Sequence, residues 1–452
     1  MEKTKYTIRY VSRIVLEAET PFTVGSGEKD LLTDALVAKD VNGLPYLPGT
    51  SLAGVIRSAC GIKRQEDTPF GYQDKNGGQG SRVIFSDGVM IGKDGKPVDG
   101  LRVMNINDDF YARFRMLPVR QHVRINSLGS TDKGGKFDEQ VTYKGTRFCF
   151  EMELLSTGSE EEAQFYEKLL DVLRSDTFRV GGGTHNGFGL MKVVTLQRRD
   201  YDLTNPTDLK SYVSRSASLD SPLEGAKELT TDTITNSKWQ RYTLKLKPEN
   251  FFLFGSGMGD DDADMTPVSE AYIVWADGKP TFQERGILIP ATSVKGALAH
   301  RTAYHWNKLK KRFIDNDGEK PLTGDASPAV EAIFGKAGQD ADKYIKCGNI
   351  MLSDVIIPAG QKEDDEKIMN HIAIDRFTGG TMDGALFTEK VTNGLCREIL
   401  LTVDVRRDCI QDDDISNAFK MALQDVADGL LPLGGGVNRG NGTFKGTLII
   451  ED

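Results

Sequence analysis

Apolar and polar residues alternate from Tyr6 to Ala18 and again from Arg241 to Lys247. A period of two is that of a strand with one face buried, so each run predicts a β-strand. Each leads into a Gly-Ser-Gly turn, at Gly25 to Gly27 and at Gly255 to Gly257. A short strand ending in proline follows, and then a helical stretch: LPGTSLAGVIRSA from Leu47 to Ala59, and IPATSVKGALAHR from Ile289 to Arg301. The landmarks continue in the same order. Phe70-Gly71 matches Phe334-Gly335, VIFSDG at Val83 to Gly88 matches IMLSDV at Ile350 to Val355, and the hairpin-like His122 to Val141 matches His371 to Val391. Both halves close on a glycine-rich turn before a last strand, RVGGGTHNGFGLMKV at Arg179 to Val193 and PLGGGVNRGNGTFKG at Pro432 to Gly446.

Shared landmarks in a shared order mean that one unit occurs twice. The reading is a first domain over 1–199, a linker over 200–238 that is polar and rich in Ser, Thr and Asp, and a second domain over 239–452. Strands at both ends of each unit, with a helix after the first, predict an α+β fold: a small antiparallel sheet backed by helices, of the ferredoxin-like, RRM-like class.

Composition narrows the function. The 452 residues are 38% hydrophobic with no long apolar run, which predicts no transmembrane helix and a cytoplasmic protein. The five cysteines, Cys60, Cys149, Cys347, Cys396 and Cys409, form no C-x-x-C pair, so neither a disulfide framework nor a zinc knuckle is expected. A net charge of −9 argues against an indiscriminate cationic coat for nucleic acid. Within that acidic chain Arg113, Arg115, Arg120, His122 and Arg124 make a local positive cluster.

Several residues are placed to meet phosphate. Thr50 and Ser51 stand at a helix start, where hydroxyls cap free N–H groups and the helix dipole draws anions. Thr292, Ser293 and Lys295 repeat the arrangement with an added cation. Gly181, Gly182, Gly183 and Gly187, and Gly434, Gly435 and Gly436, lack Cβ atoms and would let a polymer backbone come close, with Asn438 and Arg439 adding side-chain contacts. Neither cluster fits a nucleotide-binding P-loop or dinucleotide fingerprint. His300 and His305 lack zinc-protease spacing and read as exposed helix residues.

Taken together and in order, the GSG turn, LPYLPGTSLAGVIRS, the strand ending in Ser-Asp, HIAIDRFTGGTMDGALFTEKV and the terminal GGG-x-x-x-G-x-G resemble the RAMP superfamily. The likeness is to the repeated backbone subunits of type III CRISPR effector complexes, in a fused two-copy form like that of some type III-D systems. It implies an RRM-like palm that grips a guide RNA backbone and an inserted β-hairpin thumb that wedges between bases, which His122 to Val141 and His371 to Val391 match. Arg57, Arg120, His122, Arg124, His371 and Arg376 join the expected RNA contacts. The implied partners are guide RNA, single-stranded target RNA, further RAMP proteins and a large signalling subunit.

The resemblance also implies that a loop aspartate, here Asp34, supports cleavage of target RNA with Mg2+ or another divalent cation. In the second copy, alignment from the right-hand end of the loop puts Glu270 or Ala271 at that position in a loop read as longer, with Asp262 and Asp264 as alternatives. Asp260, Asp262 and Asp264 begin like an EF-hand, but Met265 replaces the needed glycine. Two other readings are a guide-RNA binder without catalysis, and a guide-processing endonuclease with His185 as general acid or base.

Overall fold

The computed structural model describes residues 6–30, 33–63, 68–74, 77–102, 108–126, 130–314, 320–336, 346–360, 365–394 and 397–451; Cys396 lies outside them. The first copy runs β1 (Ile8–Ala18), α1 (Gly49–Ala59), the small hairpin β2 (Tyr72–Asp74) and β3 (Gly77–Gln79), β4 (Val83–Phe85), β5 (Val89–Met90) and α2 (Asp109–Arg115). It continues with a hairpin of β6 (Val119–Ile125) and β7 (Thr131–Gln140), then β8 (Arg147–Ser156), α3 (Glu160–Leu173) and β9 (Met191–Asp202). A connecting segment carries α4 (Pro206–Ser214) and β10 (Lys227–Glu228).

The second copy has β11 (Trp239–Pro248), the hairpin β12 (Ser269–Ala276) and β13 (Lys279–Ile289), α5 (Ala291–Leu309), α6 (Pro328–Phe334), β14 (Ile350–Leu352) and β15 (Val355–Pro358). Then come the hairpin β16 (Glu366–His371) and β17 (Phe387–Thr392), β18 (Ile399–Arg406), α7 (Asp413–Ala427) and β19 (Phe444–Ile450). The main sheets have one topology. β9-β1-β8-β4 corresponds strand for strand to β19-β11-β18-β14, every pair is antiparallel, and the ferredoxin-like order appears twice. Each long hairpin is inserted between the second and third strands of its sheet, as the thumb of its palm.

Helix spacing explains the layering. Leu52 and Ile56 of α1 and Tyr166, Leu169, Leu170 and Leu173 of α3 repeat every three or four residues, forming buried stripes. These pack on Tyr10, Ile14 and Leu16 of β1 and Phe148, Phe150 and Met152 of β8. Ser159 accepts a hydrogen bond from Glu162 N to cap α3, and the Asp412 carboxylate caps α7.

The segment read as a linker packs on the first copy. β9 runs on to Asp202, and residues 203–228 then fold across the sheet face that carries no helices. Leu223 packs with Val11 and Tyr201, and Leu219 with Ile91 and Cys149. The Arg215 guanidinium donates to Glu151 (2.8 Å) and Glu153 (3.2 Å), and Tyr212 OH donates to Glu153 (2.6 Å). Its polar composition is that of a strap pairing with charges on the outer strand face. In the second copy that face is open, with Lys245, Lys247 and Leu400 exposed.

The copies share a junction. Trp275 and Ile273 from β12 and Phe282 from β13 reach into the first core, where Phe282 lies 5.0 Å from the Tyr143 ring and Trp275 Nε1 donates to Gly145 O (2.7 Å). No helix among the described residues is long and apolar enough to cross a membrane.

Candidate nucleic-acid interface

Backbone hydrogen bonds fix how the copies correspond. Asp30 N to Thr33 O, Ser26 N to Leu36 O and Ala38 N to Val24 O recur as Asp260 N to Ala263 O, Ser256 N to Thr266 O and Val268 N to Phe254 O. The two loops match position for position from Phe22/Phe252 to Ala38/Val268, with no insertion. The extra length lies downstream: twenty-two positions separate Val268 from Pro290, against ten between Ala38 and Pro48. Hairpin β12/β13 takes it up. An alignment taken from the right-hand end of the loop therefore crosses the insertion and misses the register.

Asp264 is the counterpart of Asp34, and Glu270 is not. Ala35 bridges Glu139 and Met265 bridges Glu389, both in parallel. Asp34 Oδ2 accepts from Asp138 N (3.1 Å), and Asp264 Oδ2 accepts from Thr388 N (2.7 Å) and Thr388 Oγ1 (3.0 Å). Each carboxylate is exposed and tied to the root of its own thumb. Hydrogen bonds from the Thr388 backbone and hydroxyl hold the Asp264 carboxyl below the usual range. Glu270 lies in β12 with its side chain only 8% exposed and pairs with Arg120 across the junction.

The acidic run of the second loop holds no EF-hand. Lys390 Nζ donates to Asp260 and to Asp262 (2.9 Å), standing where a cation would. Gln140 occupies that place in the first copy, its Oε1 accepting from Val37 N (3.2 Å). Among the described residues no group of three His, Cys, Asp or Glu side chains is arranged to hold a metal ion. At Asp34 the neighbouring Asp138 Oδ1 is buried without a hydrogen bond. Two adjacent carboxylates fit Mg2+, which commonly takes one or two protein carboxylates and completes its shell with water and substrate phosphate.

The thumbs repeat a stacked pair at the root. The His122 ring lies on Phe137 at 4.6 Å and 12°, and His371 on Phe387 at 4.8 Å and 21°. His122 Nε2 is 2.9 Å from Glu139 and His371 Nε2 is 3.0 Å from Glu389, contacts that fall outside hydrogen-bond direction. Further out the hairpins expose apolar side chains: Val123 and Ile125 (57% exposed) on the first, and Ile374, Leu386 and Phe377 (99%) on the second. Arg124 and Arg376 are exposed on the same hairpins.

Around the other expected contacts the structure shows bonds within the protein. Thr50, Ser51, Thr292 and Ser293 are not caps: Pro48 and Pro290 hold the cap positions, and Gly49 N and Ala291 N donate to Asp87 (2.8 Å) and Asp354 (2.7 Å). A carboxylate already meets each helix dipole there. Arg57 ties the end of α1 to Lys63 O and Gly71 O. Arg120 is buried, gripping Glu270 and Asp354 with Phe188 4.8 Å from its guanidinium. Burial disfavours its charge, but Asp354 and Glu270 more than offset this and raise its pKa.

The glycine-rich turns answer to their own backbones. Gly181, Gly183, Gly187 and Gly189 and their counterparts Gly434, Gly436, Gly440 and Gly442 all have positive φ. A Cβ on Gly181 would lie 2.1 Å from Thr23 O. Gly182 and Gly435 pair with Thr23 O and Leu253 O. The first turn sits in the junction: Lys295 Nζ donates to His185 O (3.0 Å) and Asn186 (3.2 Å), and His185 Nδ1 meets Ile350 O (2.9 Å). Burial lowers the His185 pKa. In the second turn Asn438 is exposed, while Arg439 pairs with Glu389 (2.6 Å) over the Phe387 ring. His300 is exposed as read, but His305 is buried, its Nε2 2.6 Å from Asp425.

A search of curated proteins found no match. The family model of the RAMP superfamily matches residues 15–192 and 283–445, one region in each copy, with Asp34 inside the first and Asp264 outside the second. The chain belongs to the RAMP superfamily, twice over, and so to the CRISPR-associated RNA-binding subunits that work in complexes with RNA and other proteins.

Proposed function

We propose that the chain is a guide-RNA-binding backbone subunit of a type III CRISPR effector complex, with a metal-dependent RNA cleavage site beside each thumb, at Asp34 and Asp264. The reading rests on one repeated arrangement: an exposed carboxylate bonded to the root of a two-stranded hairpin that carries exposed apolar side chains. A wedge of that kind unstacks bases locally and leaves the stretches between wedges free to pair with target. A divalent cation shared between the carboxylate and the RNA would stabilise charge on the phosphate as the neighbouring 2′-hydroxyl attacks it.

The chain's own groups hold that carboxylate in place. At the first site Asp138 N orients Asp34; at the second the Thr388 amide and hydroxyl orient Asp264 and keep it ionised. The experiment is cleavage of guide-matched RNA by the reconstituted complex with Asp34→Ala, Asp264→Ala and both. Each single variant should lose one product boundary and keep the other. Two unchanged boundaries in the double variant would end the catalytic reading and leave an architectural binder.

A further inference from the structure

The junction between the copies is a worked example of how this fold receives a neighbour. On its receiving side stand Asp354, which caps α5, and Glu270 in β12; on the entering side stand the glycine-rich turn of the first copy and Arg120 at its thumb root. Arg120 grips both carboxylates, and a Cβ on Gly187 would lie 2.5 Å from Asp354 Oδ1 and 2.6 Å from the Ala291 Cβ, so the turn is fully seated.

The receiving side exists a second time, on the outer end of the first copy. Asp87 takes the place of Asp354, and its carboxylate accepts from Gly49 N alone among the described residues. Asp40 follows Lys39 as Glu270 follows Ser269, at the start of the shorter hairpin. Both carboxylates line an open groove of about 360 Å³ with Tyr46 and Asn42. Lys39, also in its wall, is turned to Arg115 O (2.8 Å). Asp40 also accepts from Asn42 N (2.8 Å) and Leu44 N (2.9 Å), holding its turn, so the groove repeats the two acidic positions that clamp Arg120, with no arginine among the described residues that line it.

The entering side also exists twice, but changed. Met369 stands at the Arg120 position, fixed by register: Arg120 pairs with Glu139 and Met369 with Glu389. Space opposite Gly440, the counterpart of Gly187, is open. The geometry points to a rule for neighbours: the outer face of the first copy receives a like-folded chain with an arginine at the root of its last thumb, and not a second copy of this chain. Two carboxylates meeting a methionine would be buried without a counter-charge, which disfavours self-stacking. The inference rests on the reading above only in placing the chain in a row of like-folded subunits.

Sedimentation of the purified full chain without RNA tests it independently of guide binding or cleavage. The wild type should remain monomeric. Met369→Arg should associate with itself at least about tenfold more tightly than the wild type, and adding Asp87→Asn should return it to monomer. Met369→Lys, unable to fork onto two carboxylates, should gain less and keeps the test open if the arginine unsettles the hairpin. A wild type that self-associates, or arginine and lysine variants that both fold and stay monomeric, would overturn the proposal.

Discussion

The two copies share the four antiparallel strands at the centre of their sheets and differ in what surrounds them. The first has its helix-free sheet face strapped by 203–228 and its thumb root anchored through Arg120 to the other copy. The second has that face open, Met369 at the same root, and a lengthened hairpin whose Trp275 and Phe282 clasp the first copy. Repetition preserves the parts that set chain direction, while the outer residues decide what each copy touches. One scaffold serves two positions because its contacts are carried by few side chains.

Making the first thumb root like the second removes the largest difference between the copies. Arg120→Met leaves Glu270 and Asp354 buried without their cation and should cost about 3–5 kcal/mol, read by denaturant unfolding, with the copies separating into two transitions. Thermal unfolding that stays single and unshifted would show the clasp alone sufficient. Next in size is Leu223→Ala under the strap, expected to cost about 2–3 kcal/mol and to speed hydrogen exchange in residues 203–228 without affecting the second sheet.

A smaller effect is expected from acid. His185 has a lowered pKa in the folded junction, so the unfolded chain takes up its proton first. Its contribution is present above the ordinary histidine pKa of about 6.5 and is lost as pH falls below that value toward the folded pKa. Stability should therefore fall with pH in that window, and His185→Asn should flatten the slope. Smallest is Lys390→Gln, which gives the second loop the residue of the first. The partners Asp260 and Asp262 are well exposed, so the melting temperature should barely move, while amides from 258 to 266 exchange faster.

Much of this was legible in the sequence, for reasons that also mark where reading fails. Period-two alternation and the paired landmarks give both sheets, because burial on one face leaves that signature in every strand. The register of Asp264 was hidden, since a hairpin lengthened by pairing with itself leaves no composition break at its ends. Arg120 looked like one more surface cation; its partners lie in the other copy, and no local pattern announces a buried ion pair. Residues 203–228 read as linker because a strap that meets a charged sheet face is itself polar. The glycine turns were found, but their cause was the left-handed backbone they adopt.

The strap bears on how the protein is made. Residues 203–228 leave the ribosome before any strand of the second copy, so the first palm can close and shield its outer face while synthesis is still under way. The later half then emerges beside a finished template, whose exposed aromatic pocket around Tyr143 waits for Phe282. Order of translation thereby guards two sheets of one topology against exchanging strands, the characteristic error of tandem repeats.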